Sequence, residues 1–204
     1  MSRRPEIDLF CEDGGHELFA RALVERLVAD EGTRRPIIQP RSTRGGLGRT
    51  LTELKAWQRK VRASIGRADL LLVLIDANGE GHRKRQAELR AVIEPDVYSM
   101  TIVACPDPHV EAWCAADPAA LRTVLGAELP PRPARAGRDA YKAWLGAALR
   151  QAGVRVLNDP LDIAAELVPA MDLFRAGKAD PSFRHAVDDI RGFLKAFAER
   201  REGA

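Results

Sequence analysis

Cysteine is scarce in this chain of 204 residues, and its pattern excludes a disulfide framework. The three cysteines, Cys11, Cys105 and Cys114, are an odd number and contain no Cys-x-x-Cys pair. Two of them lie in or beside apolar runs that are typical of buried strands, so we interpret them as reduced core residues. The four histidines form neither a His-x-His nor a His-Glu-x-x-His arrangement, which argues against a zinc site.

Long apolar segments and hydrolase motifs are also missing. No run approaches the roughly 20 apolar residues of a membrane-spanning helix, and residues 1–6 have no apolar signal-peptide core. We therefore expect a soluble cytoplasmic protein without a membrane partner. The glycine-rich segment 45–50 lacks the spacing and the lysine of a phosphate-binding loop, and no Gly-x-Ser-x-Gly elbow occurs. Nucleotide hydrolysis by this chain alone and serine-nucleophile chemistry therefore find no support.

The composition is that of an ordinary globular protein, with 46% hydrophobic and 30% charged residues. A net charge of +3 is too small to argue for a nucleic-acid partner by itself. The length is sufficient for one well-buried core. We predict a single domain over residues 1–204, with its core at 5–128 and a mostly helical part at 138–200.

The hydrophobic pattern predicts an α/β fold. Apolar runs at residues 7–11, 70–75 and 98–104 are short and uniform, as in buried strands, and helical patterns lie between them. This alternation predicts a Rossmann-like central parallel sheet flanked by helices, with a mostly helical C-terminal third. Prolines at both ends make residues 36–40 a short strand toward an edge. Predicted helices include one that starts at a Thr50-x-x-Glu53 capping box, and others at 82–93, 141–152, 162–173 and 182–198.

Acidic residues follow three of the predicted strands. They are Glu12 and Asp13 after the first strand, Asp76 after the run at 70–75, and Asp107 with Glu111 after the run at 98–104. The carboxyl ends of parallel strands meet at one edge of a sheet, so these side chains could converge on Mg²⁺, which prefers oxygen ligands. The alternative is that they are turn residues and helix caps. We expect Asp76 to project from a loop into a cleft, where its loss would leave the fold intact.

Arginines concentrate between residues 34 and 49, where five occur without an acid and with three glycines among them. A flexible cationic loop of this kind is suited to contact a phosphate backbone. Arg41, Arg44 and Arg49, together with Arg184 from the helical tail, are our candidates for nucleic-acid binding. A solvated turn is the alternative interpretation of the loop.

Two short segments resemble the Toprim domains of primases, topoisomerases and the overcoming-lysogenization-defect nucleases. The segment Phe-Cys-Glu-Asp-Gly-Gly-His-Glu at 10–17 resembles the strand that ends in Glu-Gly, with Glu17 near a second acid of some nuclease members. The segment Leu-Ile-Asp-Ala-Asn-Gly at 74–79 resembles the strand that ends in Asp-x-Asp.

A closer resemblance is to a poorly characterised bacterial Toprim-like family. The segment Val-Ala-Cys-Pro-Asp-Pro-His-Val-Glu-Ala-Trp at 103–113 resembles the family's strand that is followed by the motif Ile-Glu-Ala-Trp-Leu-Leu-Ala-Asp. The segment Asp-Pro-Ser-Phe-Arg at 180–184 resembles its Pro-Ser-Phe motif before the last helix. The motifs occur in the same order as in that family, and together they are distributed over most of the chain.

The resemblance implies that Glu12 acts as a general acid/base or metal-adjacent carboxylate and that Asp76 binds Mg²⁺ or Mn²⁺ directly. Asn78 replaces the second aspartate of Asp-x-Asp, which would weaken a metal site unless Glu80 or Glu111 supplies the missing anion. The predicted catalytic residues are Glu12, Asp76 and Glu111, and the predicted metal ligands are Glu12, Asp76, Asn78 and Glu80.

The expected function is that of a metal-dependent Toprim-like nuclease in phage defence or DNA processing, acting with a separately encoded ATPase. The alternative is a non-catalytic Toprim-like subunit that binds a protein partner or nucleic acid through the same cleft. Asn78 distinguishes the two hypotheses, because it replaces a charged metal ligand of the nuclease motif.

Overall fold

The computed structural model describes residues 3–42, 45–63, 67–133, 137, 139–156 and 159–202, without the side chains of 42, 201 and 202. Arg44, one of the predicted nucleic-acid contacts, lies outside the described residues.

The described residues form a four-stranded parallel sheet in the order β2-β1-β3-β4. Its strands are β1 (Glu6–Cys11), β2 (Ile37–Ser42), β3 (Leu70–Leu74) and β4 (Thr101–Ala104). The three apolar runs are confirmed as parallel neighbours, because β3 pairs with β1 on one side and with β4 on the other. The proline-flanked strand is confirmed at an edge, where β2 pairs with β1.

Helices connect the strands and make up the C-terminal part of the chain. The first five are α1 (Gly14–Asp30), α2 (Gly46–Ala63), α3 (His82–Arg90), α4 (Val110–Cys114) and α5 (Pro118–Leu125). The C-terminal helices are α6 (Ala140–Gln151), α7 (Ala164–Ala170), α8 (Leu173–Ala179) and α9 (Pro181–Glu202), with a 3-10 turn at Pro160–Ile163. The α/β, Rossmann-like fold class and the helical C-terminal third are therefore confirmed.

The two faces of the sheet carry unequal layers. Alternate strand residues such as Leu72 join the larger core, which includes residues of α1 and of α4 to α9. Val73 and its neighbours on the other face pack against α2 and α3. The predicted site lies at the edge of the sheet that is formed by the carboxyl ends of β1, β3 and β4.

Two predicted elements differ from the structure. The helix expected to begin at Thr50 begins at Gly46, and the Thr50 hydroxyl donates to the Gly46 carbonyl within the helix, so the capping-box prediction was wrong. The helix predicted over 162–173 is split between the 3-10 turn, α7 and the start of α8. The split occurs because Asp172 accepts the Arg175 N–H at 2.9 Å and caps a new helix there.

No helix in the described part of the chain is long and apolar enough to cross a membrane.

Candidate active site

A buried histidine follows the first strand and links two aspartates. Asp13 caps α1, because its Oδ1 accepts the backbone N–H of His16 at 3.0 Å. The same oxygen lies 2.7 Å from His16 Nδ1, and Asp76 Oδ1 lies 2.9 Å from His16 Nε2. His16 is only 2% exposed. A site role for this histidine was missed in the sequence, where its only signal is the Asp-x-x-His spacing at a helix start.

The arrangement around His16 favours the imidazolium form of its ring. Each ring nitrogen faces a carboxylate oxygen, and a carboxylate can only accept a hydrogen bond, so both nitrogens donate. Burial alone would lower the pKa of His16, but the hydrogen bonds to Asp13 and Asp76 outweigh it and raise the pKa to about 10. The pKa of Asp13 falls to about 2, because hydrogen bonds from His16 outweigh the effect of its own burial. The site thus contains a fixed positive charge.

Asp76 joins the ends of three adjacent strands. It follows β3, and besides the bond from His16 its Oδ1 accepts the N–H of Val110, the first residue of α4, at 3.0 Å. Asp76 is 2% exposed. The expectation that Asp76 projects from a loop into a cleft was therefore wrong, and because it is a buried acceptor of two hydrogen bonds we now expect its loss to destabilise the fold.

The loop after Asp76 is held against the loop after β4. The backbone N–H groups of Ala77 and Asn78 donate to the carbonyls of Pro106 and Pro108, at 2.7 Å and 2.9 Å. Asn78 has a positive φ of 58° and donates its side-chain amide to the Asp76 carbonyl at 3.3 Å. The Asn78 side chain thus braces the turn.

Two glutamates bring buried oxygens to this edge. Glu12 follows β1 and Glu111 lies in the first turn of α4; among the described residues, neither Glu12 Oε1 nor Glu111 Oε2 has a hydrogen-bond partner. Burial raises the pKa of Glu12, and the nearby charge of Asp76 raises it further. Burial is also the main reason that the pKa of Glu111 is raised, and Asp76 again adds to it. Glu12, Asp76 and Glu111 therefore share one electrostatic environment, as their strand positions predict.

Lys142, near the start of α6, adds a second cation that the sequence did not indicate. Its charge opposes the raised pKa of Glu12 and of Glu111, and it contributes to the lowered pKa of Asp13. Lys142 is exposed, in contrast to His16. The C-terminal helical part thus supplies a charged group to the edge formed by the N-terminal strands.

Glu80 has its partners on α3. Its Oε2 lies 2.7 Å from Lys84 Nζ and its Oε1 lies 3.5 Å from Arg85 Nη2. The hydrogen bond from Lys84 lowers the pKa of Glu80. Both carboxylate oxygens of Glu80 are thus paired with cations, whereas Glu12 and Glu111 each have a carboxylate oxygen without a hydrogen-bond partner among the described residues.

The donor chemistry of the edge fits a hard divalent cation. Glu12 and Glu111 present carboxylate oxygens, and Mg²⁺ commonly keeps several waters, so two or three protein oxygens suffice. Asp76 Oδ1 is already bonded to His16 and Val110. Within the described ranges, no three His, Cys, Asp or Glu side chains are arranged to hold a metal ion.

The two motifs of the closer resemblance contact each other beneath this edge. Trp113 Nε1 donates to Ser182 Oγ at 2.8 Å, and the Trp113 and Phe183 rings are 5.4 Å apart. Phe19 of α1 packs against both rings. Trp113 therefore fixes α4, which carries Glu111, against the start of α9.

The predicted arginine contacts lie on three regular elements. The described part of the expected loop is mostly strand and helix, because Arg41 is in β2 and Arg49 is in α2, where it pairs with Glu53. Arg41 pairs with buried Asp8 at 2.7 Å. Arg184 is exposed in the first turn of α9. A nucleic-acid role for these arginines stays a prediction.

No protein-family model, curated protein or solved structure matches this chain.

Proposed function

We propose that this protein is a Mg²⁺- or Mn²⁺-dependent nuclease of the Toprim type that cleaves phosphodiesters of nucleic acid. The observation that supports the proposal is the meeting of Glu12, Asp76 and Glu111 at the carboxyl ends of three adjacent parallel strands, with two buried glutamate oxygens unpartnered. A role in phage defence or DNA processing, with a separately encoded ATPase, belongs to this proposal.

In this proposal, the residues at the carboxyl ends of the strands have different roles. A divalent cation bound by the free oxygens of Glu12 and Glu111 and by water, beside the charge of Asp76, would stabilise negative charge on the phosphate and lower the pKa of bound water. Burial raises the pKa of Glu12, which makes this carboxyl group better suited to take up and release a proton than an exposed glutamate. His16 is a positioning residue, since it fixes Asp76 through Oδ1. The backbone N–H groups of Ala77 and Asn78 donate hydrogen bonds to the loop after β4. These bonds fix the position of Asp76 relative to Glu111.

A specific observation favours a second function, that of a non-catalytic subunit that uses the same edge to bind a partner or nucleic acid. His16 neutralises part of the acidic charge, and Asp76 Oδ1 already accepts two hydrogen bonds. Asn78 contributes no charge, and its amide braces the turn. These contacts would hold the edge together without a metal.

The test begins with variants that keep shape and remove charge. Glu12→Gln and Glu111→Gln replace groups that have an unpartnered oxygen, so we expect both to fold. Titration calorimetry with Mg²⁺ and Mn²⁺ should show binding to the wild type and a loss of binding in both variants. Glu80→Gln is the matched control, because Glu80 is exposed and pairs with Lys84, and it should bind metal like the wild type.

Cleavage is measured with single-stranded and duplex DNA and RNA in the presence of either metal. We expect Glu12→Gln and Glu111→Gln to lower cleavage at least about a hundredfold, because charge stabilisation by a bound metal is worth several kcal/mol. Asn78→Asp should tighten metal binding and maintain or raise activity. Full cleavage by both folded glutamine variants would refute the mechanism. Absence of metal binding and of cleavage in the wild type would favour the non-catalytic subunit.

A further inference from the structure

Helix α2 carries a row of exposed cations along one side. Its inner side is buried at Thr50, Leu54, Gln58 and Val61, which recur every three or four residues and pack toward the sheet. The opposite side exposes Arg49, Lys55, Arg59, Lys60 and Arg62. We call these five residues the basic face of α2. The helix contains five basic residues and a single acid, Glu53.

Within the described part of the chain, two residues of the basic face form no ion pair with an acidic side chain. Arg49 pairs with Glu53 at 2.7 Å, and Arg62 pairs with Glu94 at 2.9 Å. Among the residues that the structure describes, neither Lys55 nor Arg59 forms an ion pair. A helix needs no such row for its own stability, since cations are favoured only in its last turn.

The helix begins beside the candidate active site. The Thr50 hydroxyl, in the first turns of α2, lies 3.4 Å from the carbonyl oxygen of Cys11, the residue immediately before Glu12. From there, α2 runs back along the sheet toward the start of the strands. Its 18 residues correspond to about 27 Å.

A cationic groove lies at the far end of the helix. It has a volume of about 430 Å³, and Trp57 lines it together with two acids, Asp8 and Glu6 at the start of β1, and four cations, Arg3, Arg41, Lys60 and Arg67. The Arg41 guanidinium lies 4.1 Å from the centre of the Trp57 ring. Asp8, only 2% exposed, fixes it there through a 2.7 Å bond to Arg41 Nε. The basic face therefore leads from the carboxylates to a preorganised cation.

We propose that the basic face of α2 and this groove form a surface on which the phosphodiester backbone of a nucleic acid lies. The inference rests on the proposed function for the choice of nucleic acid as the partner. The basic face extends from Arg49 to Arg62, about 20 Å along the helix axis, which matches the repeated charge of a polyanion, and about six base pairs of duplex extend over that length. A membrane surface fits less well, because the large apolar residues of α2 face the core and none is exposed.

Binding without cleavage is the direct test. Fluorescence anisotropy with labelled 20-nucleotide single strands and duplexes of DNA and RNA is measured in EDTA over a range of salt concentrations. Lys55→Ala/Arg59→Ala should weaken binding at least about tenfold at 0.1 M salt and lower the log-log salt slope by about 1.8 for duplex DNA, or 0.9 for each lost contact. The four probes distinguish DNA from RNA and single strands from duplex.

The matched control removes the same charge from the other layer. Arg122→Ala/Arg150→Ala changes exposed residues of α5 and α6, helices that pack on the opposite face of the sheet. It should bind each probe within twofold of the wild type. The proposal is overturned if both double variants weaken binding equally, or if Lys55→Ala/Arg59→Ala binds with the wild-type slope. It is also overturned if the wild type binds poly-glutamate or phosphatidylserine vesicles but none of the nucleic acids.

The failure of this proposal can be distinguished from the failure of the nuclease proposal. Weakened binding by the α2 variant, in a protein that cleaves nothing with either metal, supports the surface and argues against the nuclease. Wild-type cleavage with an unchanged KM in Lys55→Ala/Arg59→Ala supports the nuclease and overturns the surface.

Discussion

At the candidate site, four carboxyl groups meet two cations of different kinds. His16 is buried and fixed between Asp13 and Asp76, whereas Lys142 is exposed and acts on the remaining acids through its charge. Burial of an ionised carboxylate without a full set of hydrogen bonds is unfavourable, so Glu12 and Glu111 are the strained members of the group. The retention of such groups lowers stability, and the proposed binding of a divalent cation would account for it.

Glu111→Gln should increase the stability of the folded protein, because it removes the unfavourable burial of a charge. Burial raises the pKa of Glu111, so the native protein binds more protons than the unfolded chain between the two pKa values, and stability falls as pH rises through the native value. Glu111→Gln removes the buried charge, and we expect it to raise the free energy of unfolding at pH 7 by on the order of 1 kcal/mol.

Chemical denaturation at pH 7 and pH 4 measures the effect. The gain should be smaller at pH 4, because the wild-type carboxyl group is then mostly protonated in the folded protein and more than half protonated in the unfolded chain. Glu80→Gln serves as the exposed control and should show no gain at pH 7. A loss of stability in Glu111→Gln at pH 7 would mean that the ionised carboxylate is stabilised in the folded protein.

Among the helices, α5 and α8 are joined by one buried carboxylate. Asp117 caps α5 by accepting the Ala120 N–H, accepts the Asp172 N–H at 2.8 Å and bonds the Arg175 guanidinium at 2.8 Å. Its exposure is 0%. Burial alone would raise the pKa of Asp117, but the hydrogen bonds from Arg175 and the two backbone groups outweigh it and lower the pKa.

Asp117→Ala should therefore destabilise the protein strongly, by about 3 kcal/mol at pH 7, because it leaves three donors without their acceptor. A lowered pKa stabilises the folded state above the unfolded value of roughly 3.9, and this contribution is lost as pH falls through the native value. The difference from the wild type should thus shrink below about pH 4. Asp172→Ala, which removes the exposed cap of α8 and a 3.7 Å surface ion pair with Arg175, should cost about 1 kcal/mol. Equal losses in the two variants would contradict the central role of Asp117.

The central strands and the edge where the acids meet could be predicted from the sequence, because uniform apolar runs and the rule for parallel crossovers depend on local pattern. The position of Glu12, Asp76 and Glu111 followed from that rule alone. The bridge by His16 and the charge of Lys142 could not be predicted, since they depend on side-chain directions and on packing between distant segments. The start of α2 at Gly46 was missed because no capping residue marks it, and the Thr50-x-x-Glu53 pattern has the spacing of a start.

In the whole molecule, the N-terminal sheet and the C-terminal helices share their larger core. Phe183 and Phe193 of α9 belong to the same buried cluster as Leu9 and Leu72 of the strands. The Trp113–Ser182 bond and the aromatic contacts of Phe183 join α4 to α9. Such continuity indicates that the sheet cannot retain its core when α9 detaches.

We therefore expect the molecule to unfold in a single cooperative transition, as the single-domain prediction requires. Phe193→Ala removes a ring that is 2% exposed on α9, far along the chain from the strands, and should cost about 3 to 5 kcal/mol. Because the core is shared, the loss should lower the protection of amides in β1 and β3 as much as that of amides in α9 when hydrogen exchange is followed by mass spectrometry. Phe174→Ala is the control, since Phe174 is 73% exposed on α8 and should leave the exchange in all three elements unchanged. Faster exchange in α9 with unaltered protection of the strands would show that the helical part unfolds independently, and the chain would then contain two units instead of one.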